Sequence, residues 1–184
     1  MRLFTAIWPP QDLLESISPM LDLLNEKLSR QGVRFTAREK VHLTVRFLGN
    51  VDDERLTALV DSLSANTLGL AAPELTLNGL GAFPNATRPG IVWAGIQGDV
   101  ALLHTRVTEA TDDFADRPET KPYHPHLTLA RISPPSQKVG RALAPVLNEF
   151  AASVLAQWKP TELMLVQTLP GGQYETKATF PLGS

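Results

Sequence analysis

The chain has 184 residues, a formal net charge of −2 and no cysteine. This length suits one compact domain, and the lack of cysteine excludes disulfides, thiol nucleophiles and cysteine-based zinc sites. The small net charge differs from that of a broadly basic nucleic-acid coat protein, so contact with nucleic acid would need a local patch. The sequence has neither an apolar run long enough to span a bilayer nor the apolar stretch of a secretory signal. We therefore expect a cytoplasmic protein without a membrane anchor.

The first half of the chain alternates strand and helix patterns. β-forming residues predict a strand over 2–8, which Pro9-Pro10 ends. Leucines at helical spacing predict a helix from Leu13 to Gly32 that Pro19 kinks or divides. The further predictions are an extended piece over 33–36, a strand over 40–48, a helix over 51–63, and strands over 74–83 and 90–97.

The second half has a similar order of elements. Its predictions are a helix from Gly98-Asp99 to about Asp113, a strand over 126–132, a helix over 136–150, and a hairpin formed by 161–169 and 173–180. Each half thus contains a helix, a strand, another helix and a pair of strands. We interpret this order as a weak internal repeat within a single domain over 1–184, with two α+β lobes that face each other across a cleft.

One four-residue pattern occurs in both halves, as His42-Leu43-Thr44-Val45 and as His126-Leu127-Thr128-Leu129. Both copies lie in predicted strands, where alternate side chains point to opposite faces. The histidine and threonine of each copy therefore share one face, and the two apolar residues share the other. A single His-x-Thr in a strand is usually structural, but two copies in equivalent positions favour a site.

A pair of histidines suits displacement at phosphorus. The ordinary pKa of histidine, about 6.5, lets one imidazole accept a proton from the attacking oxygen while the other protonates the leaving oxygen. Thr44 and Thr128 could donate hydrogen bonds to phosphate oxygens. Arg46 shares strand parity with His42, so simple alternation predicts that it faces the cleft and meets phosphate, although an exposed charge at a strand end is an equally ordinary reading. Such a mechanism needs no metal or other cofactor.

Two other functions fit parts of the pattern. His42, His124 and His126 could form a three-histidine zinc site, but Pro125 disturbs the strand there and the threonines would be unexplained. The cleft could also bind RNA ends or a nucleotide without catalysis. A Gly-x-Ser-x-Gly nucleophile elbow and a Walker phosphate loop are both absent from the sequence.

The chain resembles the two-histidine (2H) phosphoesterase superfamily, and within it the RNA 2′,3′-cyclic phosphodiesterases, which are also called 2′–5′ RNA ligases. The resemblance extends over nearly the whole chain. It is carried by Arg2-Leu3-Phe4-Thr5-Ala6-Ile7, by His42-Leu43-Thr44-Val45-Arg46-Phe47-Leu48-Gly49, by Phe83-Pro84, Arg88-Pro89 and Val92-Trp93, by Pro125-His126-Leu127-Thr128-Leu129-Ala130-Arg131, and by Gly172-x-Tyr174.

The resemblance implies a bilobal α+β fold with antiparallel sheets around a central cleft. It implies hydrolysis of an RNA-terminal 2′,3′-cyclic phosphate to a 2′-phosphate, with 2′–5′ ligation as the reverse reaction. His42 would be the proton donor to the leaving oxygen, and His126 the proton acceptor that activates water. Thr44 and Thr128 would hold the phosphate.

Two further residues enter the predicted site. Arg131 follows the family pattern, but simple alternation places it opposite His126, so a bulge or the strand end must turn it towards the cleft. Tyr174 could stack on a base, although core packing is its more usual role. The expected partners are RNA ends with a cyclic phosphate, tRNA fragments among them, and the expected state is a monomer.

Overall fold

A computed structural model of the protein describes residues 1–28 and 32–183. The described residues form nine strands and five α-helices. The strands are β1 (Arg2–Ile7), β2 (Val33–Phe35), β3 (Leu43–Asn50), β4 (Leu75–Phe83), β5 (Ile91–Gly98), β6 (His126–Ile132), β7 (Val154–Trp158), β8 (Glu162–Thr168) and β9 (Tyr174–Pro181). The helices are α1 (Gln11–Ser16), α2 (Ser18–Leu28), α3 (Leu56–Thr67), α4 (Ala101–Thr111) and α5 (Gln137–Glu149). None of the helices formed by residues 1–28 and 32–183 is long and apolar enough to cross a membrane.

Most predicted elements are present with shifted ends. The first predicted helix is divided at Ile17, two residues before Pro19, into α1 and α2. Its predicted end at Gly32 follows residues 29–31, which lie outside the described residues. Residues 38–40 form a 3₁₀ turn rather than the start of the first motif strand. The sequence pattern does not predict β7, a short strand at the sheet edge whose first residue, Val154, is exposed.

All named strands form one sheet in the order β7-β4-β5-β6-β3-β1-β8-β9, with β2 paired to β6. Their pairings are antiparallel, so the predicted α+β class with antiparallel strands is confirmed. The two motif strands, β3 and β6, meet at a single residue pair, Leu43 with Leu127. This pair divides the sheet into a β3 half (β3-β1-β8-β9) and a β6 half (β7-β4-β5-β6 with β2). We call the Leu43–Leu127 pair the seam.

The halves of the sheet differ from the halves of the chain. β4 and β5 follow the first motif in sequence but belong to the β6 half, and β8 and β9 follow the second motif but belong to the β3 half. The helices cross over as well, because α4 follows β5 yet packs on β3, while α2 packs on α5. The two similar halves predicted from element order are therefore not continuous in the chain, because each half of the sheet takes strands from both halves of the sequence.

A bulge interrupts β3 at the last residue of its motif. Thr5 of β1 pairs with Arg46 and Ala6 pairs with Thr44, so Val45 is an extra residue without a partner on β1. An extra residue in a strand reverses the alternation of side chains beyond it. Arg46 therefore turns to the buried face, and Phe47 joins the face that carries Thr44.

The second motif strand has a bulge at the equivalent position. Val92 of β5 pairs with Ala130 and Trp93 pairs with Thr128, so Leu129 is the extra residue. From the histidine onwards, the two motif strands then follow the same sequence of burial, with the sixth residue exposed in each. That residue is Phe47 in the first motif and Arg131 in the second.

The motif's apolar residues anchor both strands in the core. Leu43, Val45, Leu127 and Leu129 are buried within a cluster of apolar side chains between the sheet and its helices. Burial of such side chains contributes about 1.5–3 kcal/mol each. The histidines and threonines necessarily lie on the other face of the sheet.

Candidate active site

The seam brings the two motifs together. The antiparallel register defined by Leu43 and Leu127 places His42 beside Thr128, and His126 beside Thr44, in a two-fold arrangement. Both histidines and both threonines are partly exposed on the face opposite the core. The predicted pairing of two His-x-Thr motifs at one place is therefore what the structure shows.

Each histidine is oriented by a backbone carbonyl two residues earlier in the chain. Nδ1 of His42 lies 2.7 Å from the oxygen of Lys40, and Nδ1 of His126 lies 2.7 Å from the oxygen of His124. A carbonyl oxygen only accepts hydrogen bonds, so Nδ1 must carry a proton in both rings. In each neutral imidazole, Nε2 is then left as the atom that can accept a proton.

His42 lies in a cluster of aromatic rings from three parts of the β3 half. Its ring centroid is 5.1 Å from that of Phe4, 4.9 Å from that of Trp8 and 5.4 Å from that of Tyr174, which it meets edge-on. Tyr174, for which the sequence left base stacking and core packing open, thus lies beside His42. The rings remove water from around the imidazole and restrict its rotation.

His126 has a matching but different set of aromatic neighbours. Its ring centroid is 5.2 Å from Phe83 and 6.3 Å from both Trp93 and His124. The Trp93 ring lies directly over Gly81, where a β-carbon would come within 2.1 Å of it. A glycine at position 81 is therefore required for this packing.

Burial lowers the pKa of both histidines. For His42, loss of hydration outweighs the hydrogen bond to Lys40 and lowers the pKa to about 4, with further lowering by Arg131 and His126. For His126, loss of hydration again dominates, and the charges of His124 and Arg131 act in the same direction. Arg131 thus influences both imidazoles, as expected of a cation close to the two rings.

The threonines present free hydroxyl groups. Within the described part of the chain, the side-chain oxygens of Thr44 and Thr128 make no hydrogen bond, so both can donate to a ligand. The backbone oxygen of Thr44 accepts a hydrogen bond of 3.0 Å from the hydroxyl of Tyr123, which precedes β6. This bond links the two motif strands beyond the seam, where their ladder has ended.

The two arginines predicted in the site lie on opposite faces of the sheet. Arg131 is exposed, because the bulge turns it to the face of His126, as the sequence required of a bulge. The prediction for Arg46 is wrong: its side chain is only 2% exposed, donates to the backbone oxygen of Thr108 and forms an ion pair with Asp112. The bulge at Val45, which simple alternation does not anticipate, moves Arg46 to the face packed against α4.

The three-histidine zinc alternative finds no support in the geometry. Among residues 1–28 and 32–183, no three histidine, cysteine, aspartate or glutamate side chains are close enough to share a metal ion. The ring of His124 packs on Phe83 and Trp93, and its backbone oxygen holds His126. Its position is that of a neighbour that orients His126.

Sequence reasoning missed most of the aromatic surroundings. Phe4, Trp8, Phe83 and Trp93 come from four separate segments, and their convergence depends on strand pairings between distant parts of the chain. The available signal was that Phe4, Phe83 and Trp93 lie in the strings shared with the 2H superfamily, whereas Trp8 lies just outside them. That signal indicates that these residues matter but assigns none of them to a particular histidine.

Comparison with known proteins identifies a family and several relatives of the chain. The model of the family described as LigT-like phosphoesterase matches residues 7–93. The chain is 31% identical over 167 residues to an RNA 2′,3′-cyclic phosphodiesterase of Aeropyrum pernix, and the alignment covers 84% of this chain and 93% of that protein. It is 28% identical over 171 residues to the protein of the same name from Archaeoglobus fulgidus, with 92% of each chain covered.

Solved structures share the fold. A Thermus thermophilus protein superimposes with a TM-score of 0.75 at 24% identity and full coverage of both chains. LigT of Escherichia coli, in a complex with ATP, has a TM-score of 0.69 at 25% identity and covers all of this chain and 98% of its own. Two His-x-Thr motifs joined across a split antiparallel sheet define a two-histidine phosphoesterase. The chain belongs to the LigT-like phosphoesterase family, so the predicted family is confirmed.

Proposed function

We propose that the protein hydrolyses RNA-terminal 2′,3′-cyclic phosphates to 2′-phosphates. One observation carries the proposal: two imidazoles on either side of the seam have their Nδ1 atoms bound to carbonyl oxygens, which leaves each Nε2 as the atom available for proton transfer. The names of the relatives from Aeropyrum pernix and Archaeoglobus fulgidus support the choice of substrate.

The proposed reaction is one displacement at phosphorus with two proton transfers. His126 takes a proton from water as the water oxygen attacks phosphorus. The bond between phosphorus and the 3′ oxygen breaks, and His42 gives its proton to that oxygen. The phosphate remains on the 2′ oxygen, and each proton transfer typically accelerates such a step by about 10²–10⁴-fold.

The low pKa of His42 is compatible with the role of acid. A group of low pKa releases its proton readily, and the negative charge of a bound cyclic phosphate favours the protonated form. Thr44, Thr128 and Arg131 would bind the non-bridging oxygens, where negative charge is concentrated. Tyr174 would contact the nucleoside beside His42. This mechanism uses no metal or other cofactor.

The cellular setting belongs to the same proposal. Ligation would use the same displacement with a 5′ hydroxyl in place of water: that hydroxyl attacks the cyclic phosphate, the bond to the 3′ oxygen breaks, and a 2′–5′ bond results, which is the reverse of 2′–5′ bond cleavage. RNA fragments with cyclic phosphate ends, including those of tRNA, would be the partners of a cytoplasmic monomer. A chain without cysteine needs no oxidising compartment for its stability.

A product assay tests the function. Purified protein, stripped of metal and kept in chelator, is incubated with an oligonucleotide that ends in a 2′,3′-cyclic phosphate, and the 2′- and 3′-phosphate products are resolved. We expect the 2′-phosphate alone. Activity lost in chelator and restored by zinc would favour a metallohydrolase, and saturable binding without product would favour a binding protein.

Substitution of either histidine should nearly abolish turnover. For H42A and H126A we expect kcat to fall by about 10²–10⁴-fold, because each removes one proton transfer. The unfolding midpoint of each variant is measured in parallel, so that loss of fold is separated from loss of chemistry. A folded variant with the wild-type rate would contradict the proposal for that histidine.

A sulfur substitution separates the two roles. Thiols have a pKa of about 8.5, far below that of an alcohol, so a cyclic phosphate with sulfur at the 3′ bridging position has a leaving group that needs no protonation. This substrate should restore much of the activity of H42A but none of that of H126A. The opposite pattern would exchange the acid and the base.

A further inference from the structure

Arg34, on the short strand β2, lies directly beside Arg131. The two residues are cross-strand partners in the antiparallel pairing of β2 with β6, so their side chains point to the same face of the sheet. The neighbours of Arg34 on β2, Val33 and Phe35, pack against the core, while Arg34 is exposed. Arg34 therefore occupies the face that carries His126 and Arg131.

Two cations at this spacing repel each other. Directly opposed like charges destabilise a strand pair. Within residues 1–28 and 32–183, neither guanidinium forms an ion pair or hydrogen bond that would compensate the repulsion. An anion bound between them would do so, since guanidinium groups bind phosphate through two parallel hydrogen bonds each.

The position of β2 relates this pair to the catalytic centre. β3 accompanies β6 only at the seam, and β2 then takes its place beside Ala130, Arg131 and Ile132. Arg131 is close enough to both histidines to lower their pKa values, whereas Arg34 lies one strand further out. A phosphate that reaches Arg34 is thus adjacent to the reacting phosphate but distinct from it.

We propose that Arg34, together with Arg131, binds the phosphodiester on the 5′ side of the terminal nucleotide. The inference rests on the proposed function and extends it, because it makes the enzyme selective for RNA ends over cyclic mononucleosides. The cyclic phosphate lies between the histidines, and the next phosphate along the strand lies between Arg34 and Arg131, so that the guanidinium of Arg131 contacts both phosphates.

The test compares substrates that differ only at the 5′ position. They are adenosine 2′,3′-cyclic phosphate, the same compound with a 5′-phosphate, and a dinucleotide ending in it. The wild type should have a higher kcat/KM for the second and third substrates than for the first. In R34Q the ratio of kcat/KM for the dinucleotide to that for the 5′-hydroxyl compound should fall by about 10- to 100-fold, the loss typical of a charge-assisted contact.

R106Q is the matched control, because it removes the same charge from an exposed arginine on α4 that pairs with Glu109. Its substrate ratio should equal that of the wild type. R34K, which keeps the charge but loses the planar fork, should lie between the wild type and R34Q.

Two outcomes would overturn the proposal separately from the function. A wild-type ratio in R34Q, or an equal fall in R34Q and R106Q, would show that Arg34 makes no contact with the 5′ phosphate. If the wild type hydrolysed none of the three substrates, the proposed function would fail and this inference with it.

Discussion

The surroundings of His42 and His126 lower the pKa of both side chains. Loss of hydration and the charge of Arg131 favour the neutral form of both rings, so each pKa lies below the ordinary 6.5 of histidine. Acid–base catalysis by a pair of imidazoles needs one neutral and one protonated ring. The lowered pKa values predict that, in the free protein, one neutral and one protonated ring occur together mainly below pH 6.5.

The pH dependence of kcat/KM should show this directly. We expect a bell-shaped profile whose alkaline limb lies below pH 6.5, since kcat/KM reports the free enzyme and the acidic ring loses its proton below that pH. The profile of kcat should be displaced to higher pH, because the bound anion favours the protonated ring. In R131Q, loss of the nearby positive charge should move the kcat/KM limb upwards. An alkaline limb well above pH 7 in the wild type would contradict the burial argument.

The sequence predicted which residues form the candidate site better than it predicted what surrounds each of them. His42, Thr44, His126 and Thr128 could be named from the repeated pattern. The bond from each Nδ1 to a carbonyl could not, because it depends on how the backbone turns just before each strand. Tyr123 illustrates the same limit, since nothing in its neighbourhood along the chain indicates a bond to the backbone of Thr44.

Among the elements, the bulged motif strands decide which charges reach the site. The bulge at Val45 buries Arg46 against α4, and the bulge at Leu129 exposes Arg131 beside the histidines. Two arginines that follow similar motifs should therefore respond differently to the same substitution.

R46Q should lower the free energy of unfolding by about 1–3 kcal/mol, because it removes the hydrogen bonds of a buried guanidinium to Thr108 and Asp112. Its kcat/KM should stay within about twofold of the wild type at temperatures where it is folded. R131Q should show the reverse, with kcat/KM reduced about tenfold or more and the unfolding midpoint retained. Denaturant unfolding and steady-state kinetics on both variants check the contrast, and a catalytic defect confined to R46Q would contradict the assignment of faces.

The error over Arg46 has a simple physical origin. Alternation is a reliable guide only while a strand stays in register, and one extra residue inverts every assignment after it. Val45 is an ordinary β-forming residue, so the sequence contains no glycine or proline to signal the bulge. For Arg131 the sequence did indicate a bulge, because simple strand alternation placed this residue opposite His126 whereas the resemblance placed it in the site.

For the molecule as a whole, the buried histidines connect stability to pH. The folded-state pKa of His42, about 4, lies below its unfolded value of 6.5, so between these values the unfolded chain binds more protons. The free energy of unfolding should therefore fall as the pH drops through 6.5 towards 4, and the contribution of His42 to the pH dependence should vanish about one pH unit above 6.5.

Comparison with H42Q isolates this contribution. Between pH 6.5 and pH 5 the wild type should lose roughly 1–2 kcal/mol more than the variant, in which no imidazole is present to be protonated. Carboxylates titrate alike in both proteins and cancel in the difference. Parallel pH dependences of the two unfolding midpoints would show that His42 is as easily protonated in the folded protein as in the unfolded chain.

The fold was predictable in class but not in connectivity. Periodicity gave the helices and most strands, and the repeated order of elements indicated two similar halves. Which strands pair is decided by contacts between distant segments, and no local pattern records that β5 lies against β6 or that β8 lies against β1. The exchange also means that neither half of the chain contains a complete half of the sheet.

The equivalent bulges of β3 and β6 have one more consequence. If the two motif strands were identical, an asymmetric ligand could bind in two orientations of equal energy. The two orientations would exchange the acid and base roles of His42 and His126. The residue exposed after each bulge removes this degeneracy, since Phe47, which is 64% exposed, presents a ring at one end while Arg131 presents a cation at the other. Under the proposed mechanism, these two side chains would act with the different aromatic neighbours of His42 and His126 to set the polarity of the bound RNA strand, and with it the direction of proton transfer.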